Sequence, residues 1–297
     1  MERRRPPRPL ALCCRSTGTA GGSAGAARIT RPTERFSSRV GNYARYRPSY
    51  PQPAIDLLAA RCGLSPTAVV ADVGSGTGIL SELLLARGAQ VFAVEPNDGM
   101  RAAAEERLGA HPGFRSVKGS AEATTLGSGS IDLLVAGQAF HWFEVQPARR
   151  EALRMIRDGG FGALLWNEHP PEGSAFLADY QALLLRHATE YASIAASRAD
   201  EASMREFFGG AMELATFPNR QTFDFEGLQG RLLSSSYAPE PGHPQYEPMM
   251  EGLRELFRRH ERHAEIEFPY RTLVYFAQLK PPRSKAHHTR TRSAGPR

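Results

Sequence analysis

A glycine-rich turn offers the clearest chemistry in the sequence. The turn runs from Asp72 to Gly78 (DVGSGTG), between an apolar run and a helix-like stretch that begins at Ile79. Its three glycines let the backbone bend through unusual dihedral angles and let a ligand approach closely. The helix that follows offers free N–H groups at its amino end. The turn therefore predicts a cradle for a nucleoside cofactor.

A carboxylate at the end of the next strand completes this pattern. Glu95 lies seventeen residues beyond Gly78, where a carboxylate can accept hydrogen bonds from both ribose hydroxyls. These features fit both NAD and S-adenosylmethionine. Ile79, however, occupies the place of the third glycine of the dinucleotide fingerprint, and Asp72 would repel a pyrophosphate. The ammonium of a methionine tail tolerates that acid better, so S-adenosylmethionine is the predicted cofactor.

Several motifs together resemble a known family. The glycine-rich turn, Glu95-Pro96 with Asp98 and Met100, and Gly119 to Glu122 resemble successive motifs of class I S-adenosylmethionine-dependent methyltransferases. More narrowly, the chain resembles the branch that includes trans-aconitate methyltransferases, through Phe36, Tyr43, Tyr46 to Pro51, Gln138 to Phe143, Gly230 to Tyr237 and Tyr270 to Tyr275. The resemblance spans about 34 to 280. It implies methyl transfer to a small-molecule acceptor, with a carboxylate as one candidate.

The resemblance also assigns roles in cofactor binding. It implies that the turn cradles methionine and ribose, that Glu95 holds the ribose hydroxyls, and that Gln138 faces the methionine end. It also implies that Ser120, Ala121 and Glu122 border the adenine and that Met100 packs near it. The predicted cofactor-binding residues are Asp72, Gly74, Ser75, Gly76, Gly78, Glu95, Pro96, Met100, Ser120, Ala121, Glu122 and Gln138.

His141 is the candidate general base. It stands among Phe140, Trp142 and Phe143, just past a strand that should end at the cofactor. An amine or hydroxyl acceptor loses a proton on methylation, which a histidine can take, whereas a carboxylate needs no base. The alternative is a histidine that packs within an aromatic wall. Such a wall favours a sulfonium and excludes water.

Candidate substrate-binding residues come from two further segments. The Pro-rich segment before the first strand predicts a lid over the cofactor, in which Arg45 or Arg47 clamps a substrate carboxylate through paired hydrogen bonds. A surface or turn role for these arginines is the alternative. The predicted substrate-binding residues are Tyr43, Arg45, Tyr46, Arg47, Trp142, Ser236 and Tyr237.

Strands and helices alternate in the way these sites require. Apolar runs at 68–73, 90–94, 131–136 and 161–166, with a weaker one at 114–117, predict strands separated by helices. This order indicates an α/β fold with a Rossmann-like, doubly wound and mostly parallel sheet, for which the resemblance implies seven strands. Residues 171–260 predict a helical cap that carries substrate contacts and is inserted before the last strands. The whole of 34–280 forms one predicted domain.

The excess of positive charge lies outside this domain. The first 33 residues hold seven Arg and one Glu, and residues 281–297 hold five cations and no acid, so the segment between them is net acidic. Both ends are predicted to be disordered basic tails. For residues 1–33, a transit peptide and an over-long assigned start are the alternatives. Three cysteines, two of them in the first tail, form no disulfide framework or metal cluster and fit a reducing, cytoplasmic setting. No apolar run is long enough for a membrane helix. We expect a monomer or a homodimer.

Two rival classes of protein stay open, whereas the sequence disfavours a nucleic-acid methyltransferase and a nicotinamide oxidoreductase. A non-catalytic nucleoside-binding protein would keep the same turn, and a methyltransferase could act on a macromolecule. The place after the fourth strand reads Gly137-Gln138-Ala139-Phe140, without the Asn or Asp and paired prolines of enzymes that methylate base amines. An acidic core also disfavours specific nucleic-acid binding. Asp72 and Ile79 disfavour a nicotinamide oxidoreductase.

Overall fold

A seven-stranded sheet forms the centre of the computed structural model, which describes residues 40–170, 172–189, 191 and 200–282. The strands are β1 (Val69–Val73), β2 (Gln90–Val94), β3 (Phe114–Val117), β4 (Ile131–Gly137), β5 (Ile156–Glu168), β6 (Glu213–Phe223) and β7 (Ile266–Gln278). Their order is β3-β2-β1-β4-β5-β7-β6. Pairing is parallel from β3 to β5, and β7 runs antiparallel to both β5 and β6.

Helices cover both faces of this sheet. They are α1 (Val40–Tyr46), α2 (Gln52–Arg61), α3 (Ile79–Leu85), α4 (Asp98–Leu108), α5 (Val145–Met155), α6 (Ala175–His187), α7 (Glu201–Phe208), α8 (Phe225–Leu233) and α9 (Tyr246–His260). Neighbouring residues of β1 point to opposite faces, so Val70 packs in the core with α2, α3 and α4, and Ala71 packs in the core with α5 and α7. Burial on both faces explains why the parallel strands are continuous apolar runs. The predicted doubly wound, mostly parallel sheet is confirmed.

A third apolar cluster joins the helices α6, α8 and α9 to one end of β7. Phe268 lies at its centre, fully buried, with edge-to-face contacts to Phe176 and Tyr180 of α6. Aromatic pairs of this geometry add to the stabilisation from burial. The cluster places α8 above the carboxyl edge of the sheet, where ligands bind in doubly wound folds.

The segment 171–260 is not helical throughout, which corrects one part of the sequence interpretation. It contains the eleven-residue strand β6, which lies at the edge of the sheet and pairs along its whole length with β7. Pro218 interrupts its sequence and its residues alternate between exposed and partly buried. Edge strands tolerate proline and polar residues, so the sequence of β6 carries little strand signal.

The ends of the chain lie outside the described residues. The predicted basic tail 1–33 and most of 281–297 fall there, as does Phe36. Among the described residues, no helix combines the length and the apolar character needed to cross a membrane.

Candidate functional site

The glycine-rich turn connects β1 to α3 at the carboxyl edge of the sheet. Gly74, Gly76 and Gly78 all have positive φ angles, of 71°, 57° and 81°, a region that other residues enter at a cost. A Cβ on Gly74 would lie 2.5 Å from the Cβ of Ala139. The turn therefore needs glycine both for its backbone conformation and for its close approach to the loop after β4.

Glu95 holds the turn from the neighbouring strand. Its carboxylate accepts hydrogen bonds from the N–H of Gly76 (2.9 Å) and the N–H of Asn97 (2.8 Å). Burial raises the pKa of Glu95, and these two N–H donors act in the opposite direction. Each carboxylate oxygen can accept more than one hydrogen bond, so Glu95 keeps acceptor capacity for hydroxyl groups of a ligand.

Asp72 is a fully buried carboxylate at the base of the turn. Ser81 of α3 donates a hydrogen bond of 2.7 Å to its Oδ2, whereas Oδ1 has no partner among the described residues. Desolvation raises the pKa of Asp72 from 3.8 to about 7, and the charge of Glu95 contributes to the same shift. Ser75 Oγ and Thr77 Oγ1 are also buried without a partner in the described structure. Because buried polar atoms are nearly always satisfied, these three atoms indicate a polar ligand or water at this turn.

A cavity of about 270 Å³ opens from the turn along the carboxyl ends of β1, β4 and β5. It contains many of the predicted site residues, drawn from the cofactor, catalytic and substrate groups. Those that line it are Arg47, Asp72, Gly74, Ser75, Gly76, Gln138, His141, Trp142, Ser236 and Tyr237. Gln138 reaches this position with a positive φ of 57°, and its side-chain amide donates to the carbonyl of Asn167 (3.0 Å).

His141 lies in a short 3₁₀ turn, Phe140–Trp142, at one wall of this cavity. Its ring contacts the indole of Trp142, with ring centroids 4.7 Å apart. Burial lowers the pKa of His141 from 6.5 to about 4, so the imidazole is neutral at pH 7. A neutral imidazole can accept a proton or a hydrogen bond. Its role as a base remains a prediction.

The segment before α2 closes the cavity from the cap side. Arg47 donates to the carbonyl of Ser234 (3.0 Å) and to Ser235 Oγ (3.4 Å) at the end of α8. Asn167 donates to the carbonyls of Pro48 and Ser49 and so ties the same segment to β5. This segment is thus fixed to both the cap and the sheet, and its role as a lid over the cofactor stays a prediction.

Two predicted substrate residues of this segment lie away from the cavity. Arg45 is exposed and its guanidinium lies over the ring of Tyr46 (5.2 Å). Tyr46 packs against α8, where a Cβ on Gly230 would overlap its ring. Because α1 ends at Tyr46, Arg45 and Arg47 face different surroundings, and Arg47 is the arginine that reaches the cavity. The side chain of Tyr43 lies outside the described residues.

The residues expected around adenine follow the ends of β2 and β3. Met100 is buried in the first turn of α4, Pro96 is exposed, and Ser120 forms an isolated bridge with Ala123. Glu122 accepts a hydrogen bond from the N–H of Glu144 (2.9 Å), just before α5. None of these residues lines the cavity, and neither do Gly78, Glu95 and the buried Ala121. Adenine binding beside β2 and β3 therefore stays a prediction.

Sequence reasoning missed part of the cavity wall. The additional lining residues include Tyr50, Thr77, Trp166, Asn167, Glu168, His169, Arg231 and Tyr270. Trp166 and Asn167 lie near the end of β5, so the rule that ligands bind at strand carboxyl ends could have found them. Arg231 and Tyr270 belong to motifs that carried the family resemblance, but no role was predicted for either.

Known proteins resemble this chain in sequence and in fold. Residues 71–164 match the family described as methyltransferase domain. An uncharacterized methyltransferase of Mycobacterium tuberculosis is 39% identical over 136 residues, which are 44% of this chain and 51% of the relative. This chain thus spans about half the length of that relative. An uncharacterized methyltransferase-like protein of Schizosaccharomyces pombe is 23% identical over 250 residues, covering 83% of this chain and 96% of the relative.

A solved structure shows the same fold. The structure of a protein described as a type II methyltransferase, from Anaeromyxobacter dehalogenans, superposes with a TM-score of 0.55 at 20% identity and covers 80% of this chain and 99% of that protein. The strand order, the glycine-rich turn with Glu95 and the match over 71–164 lead to one conclusion. The chain has the α/β, Rossmann-like fold of methyltransferases, and its residues 71–164 match the methyltransferase domain family.

Proposed function

We propose that this protein transfers a methyl group from S-adenosylmethionine to a small-molecule acceptor. The observation that carries the proposal is the turn of β1, where Asp72 Oδ1, Ser75 Oγ and Thr77 Oγ1 are buried without partners among the described residues. These atoms lie at or beside a cavity that also reaches His141 and Trp142. A cradle with unsatisfied polar atoms fits a zwitterionic nucleoside better than it fits a packed core.

The residues present fit the proposed cofactor. The backbone of 74–78 would hold its ribose and methionine parts, Asp72 its ammonium group, and Glu95 its ribose hydroxyls. When bound, S-adenosylmethionine supplies an electrophilic methyl group on sulfur. Aromatic side chains such as Trp142 favour a sulfonium by cation–π attraction and exclude water.

The protein's own contribution is to position and desolvate the acceptor. The electron pair of the acceptor forms the new bond to the methyl carbon, the carbon–sulfur bond breaks, and its electrons remain on the sulfur of adenosylhomocysteine. A carboxylate acceptor exchanges no proton in this step. An amine or hydroxyl acceptor releases one, and the neutral His141 lines the same cavity and can take it.

A methyl-transfer assay tests this function. Purified protein is incubated with methyl-labelled S-adenosylmethionine and panels of small carboxylates, amines and phenols, with Glu95→Gln as the binding-deficient control. The proposal predicts labelled product with at least one panel and its loss in the variant. Tight binding of the cofactor without transfer to any panel would instead favour a non-catalytic nucleoside-binding protein.

The finer features of the proposal rest on sequence. The motifs that resemble the trans-aconitate methyltransferase branch support a carboxylate-bearing acceptor. We also propose a reducing, cytoplasmic setting, because the sequence lacks the cysteine pattern of a disulfide framework. We also propose that the protein acts as a monomer or homodimer and that it has no specific nucleic-acid partner.

A further inference from the structure

Within the described residues, a buried arginine in the cavity has no acidic partner. Arg231 of α8 is only 6% exposed. Its Nε donates to the hydroxyl of Tyr270 (3.0 Å) and its Nη1 to Ser235 Oγ (3.2 Å). Its guanidinium also lies over the rings of Phe268 and Tyr270. No carboxylate lies within ion-pair distance of Arg231 in the described part of the chain.

An uncompensated buried cation is costly, and arginine stays protonated in proteins. Neutral hydroxyls and ring faces satisfy part of its hydrogen-bonding capacity but supply no negative charge. Nη2 and the second hydrogen of Nη1 make no hydrogen bond in the described structure. These atoms form the end of the guanidinium that can donate two parallel hydrogen bonds to one carboxylate.

The surroundings of Arg231 offer further donors. Arg47 also lines the cavity and donates to the same Ser235 hydroxyl. Tyr180 is 2% exposed, and its hydroxyl has no partner among the described residues. Burial raises the pKa of Tyr180, so its hydroxyl keeps its proton and can donate. Arg47 and Arg231 thus line the same cavity, and Tyr180 packs against the same Phe268 ring as Arg231. None of the three belongs to the cofactor turn.

This region is distant from the point where the methyl group would be presented. β5 pairs with β4 up to Leu165 but with β7 as far as Glu168 and Arg271. This extension of three residues amounts to about 10 Å along the strand, and two strand spacings add about 10 Å across the sheet. Tyr270, the partner of Arg231, lies just beyond this pairing. The backbone of Tyr270, whose hydroxyl contacts Arg231, therefore lies away from the carboxyl ends of β1 and β4.

We propose that Arg231, supported by Arg47, binds a carboxylate of the methyl acceptor that is not the group methylated. The inference rests on the proposed function, and it specifies the acceptor as a bifunctional molecule. One end is a carboxylate anchored beneath the cap on Arg231. The other end carries the nucleophile and faces the cofactor turn. Such an anchor positions the nucleophile without contacting the reacting atoms, so Arg231 is a positioning residue.

Binding measurements with matched probes test this anchor. Wild-type protein saturated with adenosylhomocysteine is titrated by calorimetry with glutarate, adipate and 4-hydroxybenzoate, and separately with the corresponding neutral amides. Phenyl phosphate serves as a probe for a different anion. We expect carboxylates to bind and their amides not to bind. Arg231→Gln and Arg231→Lys should weaken carboxylate binding about tenfold to a hundredfold, as expected for lost charge-assisted hydrogen bonds.

Adenosylhomocysteine affinity separates this inference from the proposed function. This affinity should be unchanged in both Arg231 variants. The control is Arg254→Gln, which alters an exposed arginine paired with Glu251. It should leave the affinities for adenosylhomocysteine and for the carboxylates at the wild-type level. Binding of phenyl phosphate alone, or of no carboxylate by a wild type that binds adenosylhomocysteine, would overturn the anchor only. Variants that lose adenosylhomocysteine together with carboxylates would also overturn it. Failure of the wild type to bind adenosylhomocysteine would contradict the proposed function itself.

Discussion

Replacing Asp72 by Asn should stabilise the protein, increasingly so as the pH rises. Burial raises the pKa of Asp72 from 3.8 to about 7, so the folded protein without ligand holds a proton that the unfolded chain releases. Stability from this group is complete at low pH and is lost as the pH rises from about 4 through 7. At about 1.4 kcal/mol per pKa unit, ionised Asp72 costs about 4 kcal/mol above pH 7.

Asparagine resembles the protonated carboxyl in shape and can still accept the hydrogen bond from Ser81. The variant therefore avoids the ionisation cost. The free energy of unfolding of Asp72→Asn, relative to that of the wild type, should increase by about 2.5 kcal/mol between pH 5 and pH 8. Urea denaturation of both proteins at the two pH values measures this difference, because other titrating groups are common to both.

The control is Asp98→Asn. Asp98 is exposed, and its hydrogen bonds with Lys118 and Arg101 lower its pKa, so its replacement should give no gain with rising pH. If Asp72→Asn destabilised the protein equally at pH 5 and pH 8, the buried carboxylate would be stabilised by the fold and the reasoning would be refuted. We expect the same variant to bind S-adenosylmethionine more weakly, since it lacks the charge that faces the ammonium.

Three further predictions concern the same edge of the sheet. Glu95→Gln should weaken adenosylhomocysteine binding about tenfold or more in calorimetry, and an unchanged affinity would exclude a ribose contact at Glu95. Because the pKa of His141 is lowered to about 4, methyl-transfer rates should show no His141 titration between pH 5.5 and 9; a step near pH 6.5 that disappears in His141→Gln would contradict its neutral state. Gly74→Ala should lower the free energy of unfolding by about 2–4 kcal/mol, because it adds a clash with Ala139 to backbone strain. Gly63→Ala is the control, since Gly63 has a positive φ but open space around it, and it should cost about 1 kcal/mol. Equal losses of the two variants in urea denaturation would argue against the clash.

The cofactor side of the site was accessible from sequence because local signals define it. β1, β2 and β4 are mostly buried apolar runs. The distance in sequence from the glycine-rich turn to Glu95 is typical of a helix and a second strand that follow the turn. β6 is not predicted from sequence because it is an edge strand that contains Pro218, alternates polar with apolar residues and has no continuous apolar run. Strand signals follow burial, and this strand is barely buried.

The acceptor side was not accessible in the same way. Arg231 contacts Tyr270 across 39 residues of sequence, and nothing within α8 indicates that its arginine is buried under aromatic rings. Arg45 and Arg47 are equivalent candidates in sequence. Because α1 ends at Tyr46, Arg45 is exposed and Arg47 lines the cavity. Burial of a charged residue depends on tertiary packing, which a single sequence does not reveal.

The most direct test of the central claim is equilibrium binding of the two nucleoside classes to the purified protein. Calorimetry with adenosylhomocysteine and with NAD should give one adenosylhomocysteine per chain, weakened by Glu95→Gln, and no binding of NAD. Binding of NAD in preference to adenosylhomocysteine, or of neither nucleoside, would contradict the assignment of the turn at Asp72 to S-adenosylmethionine.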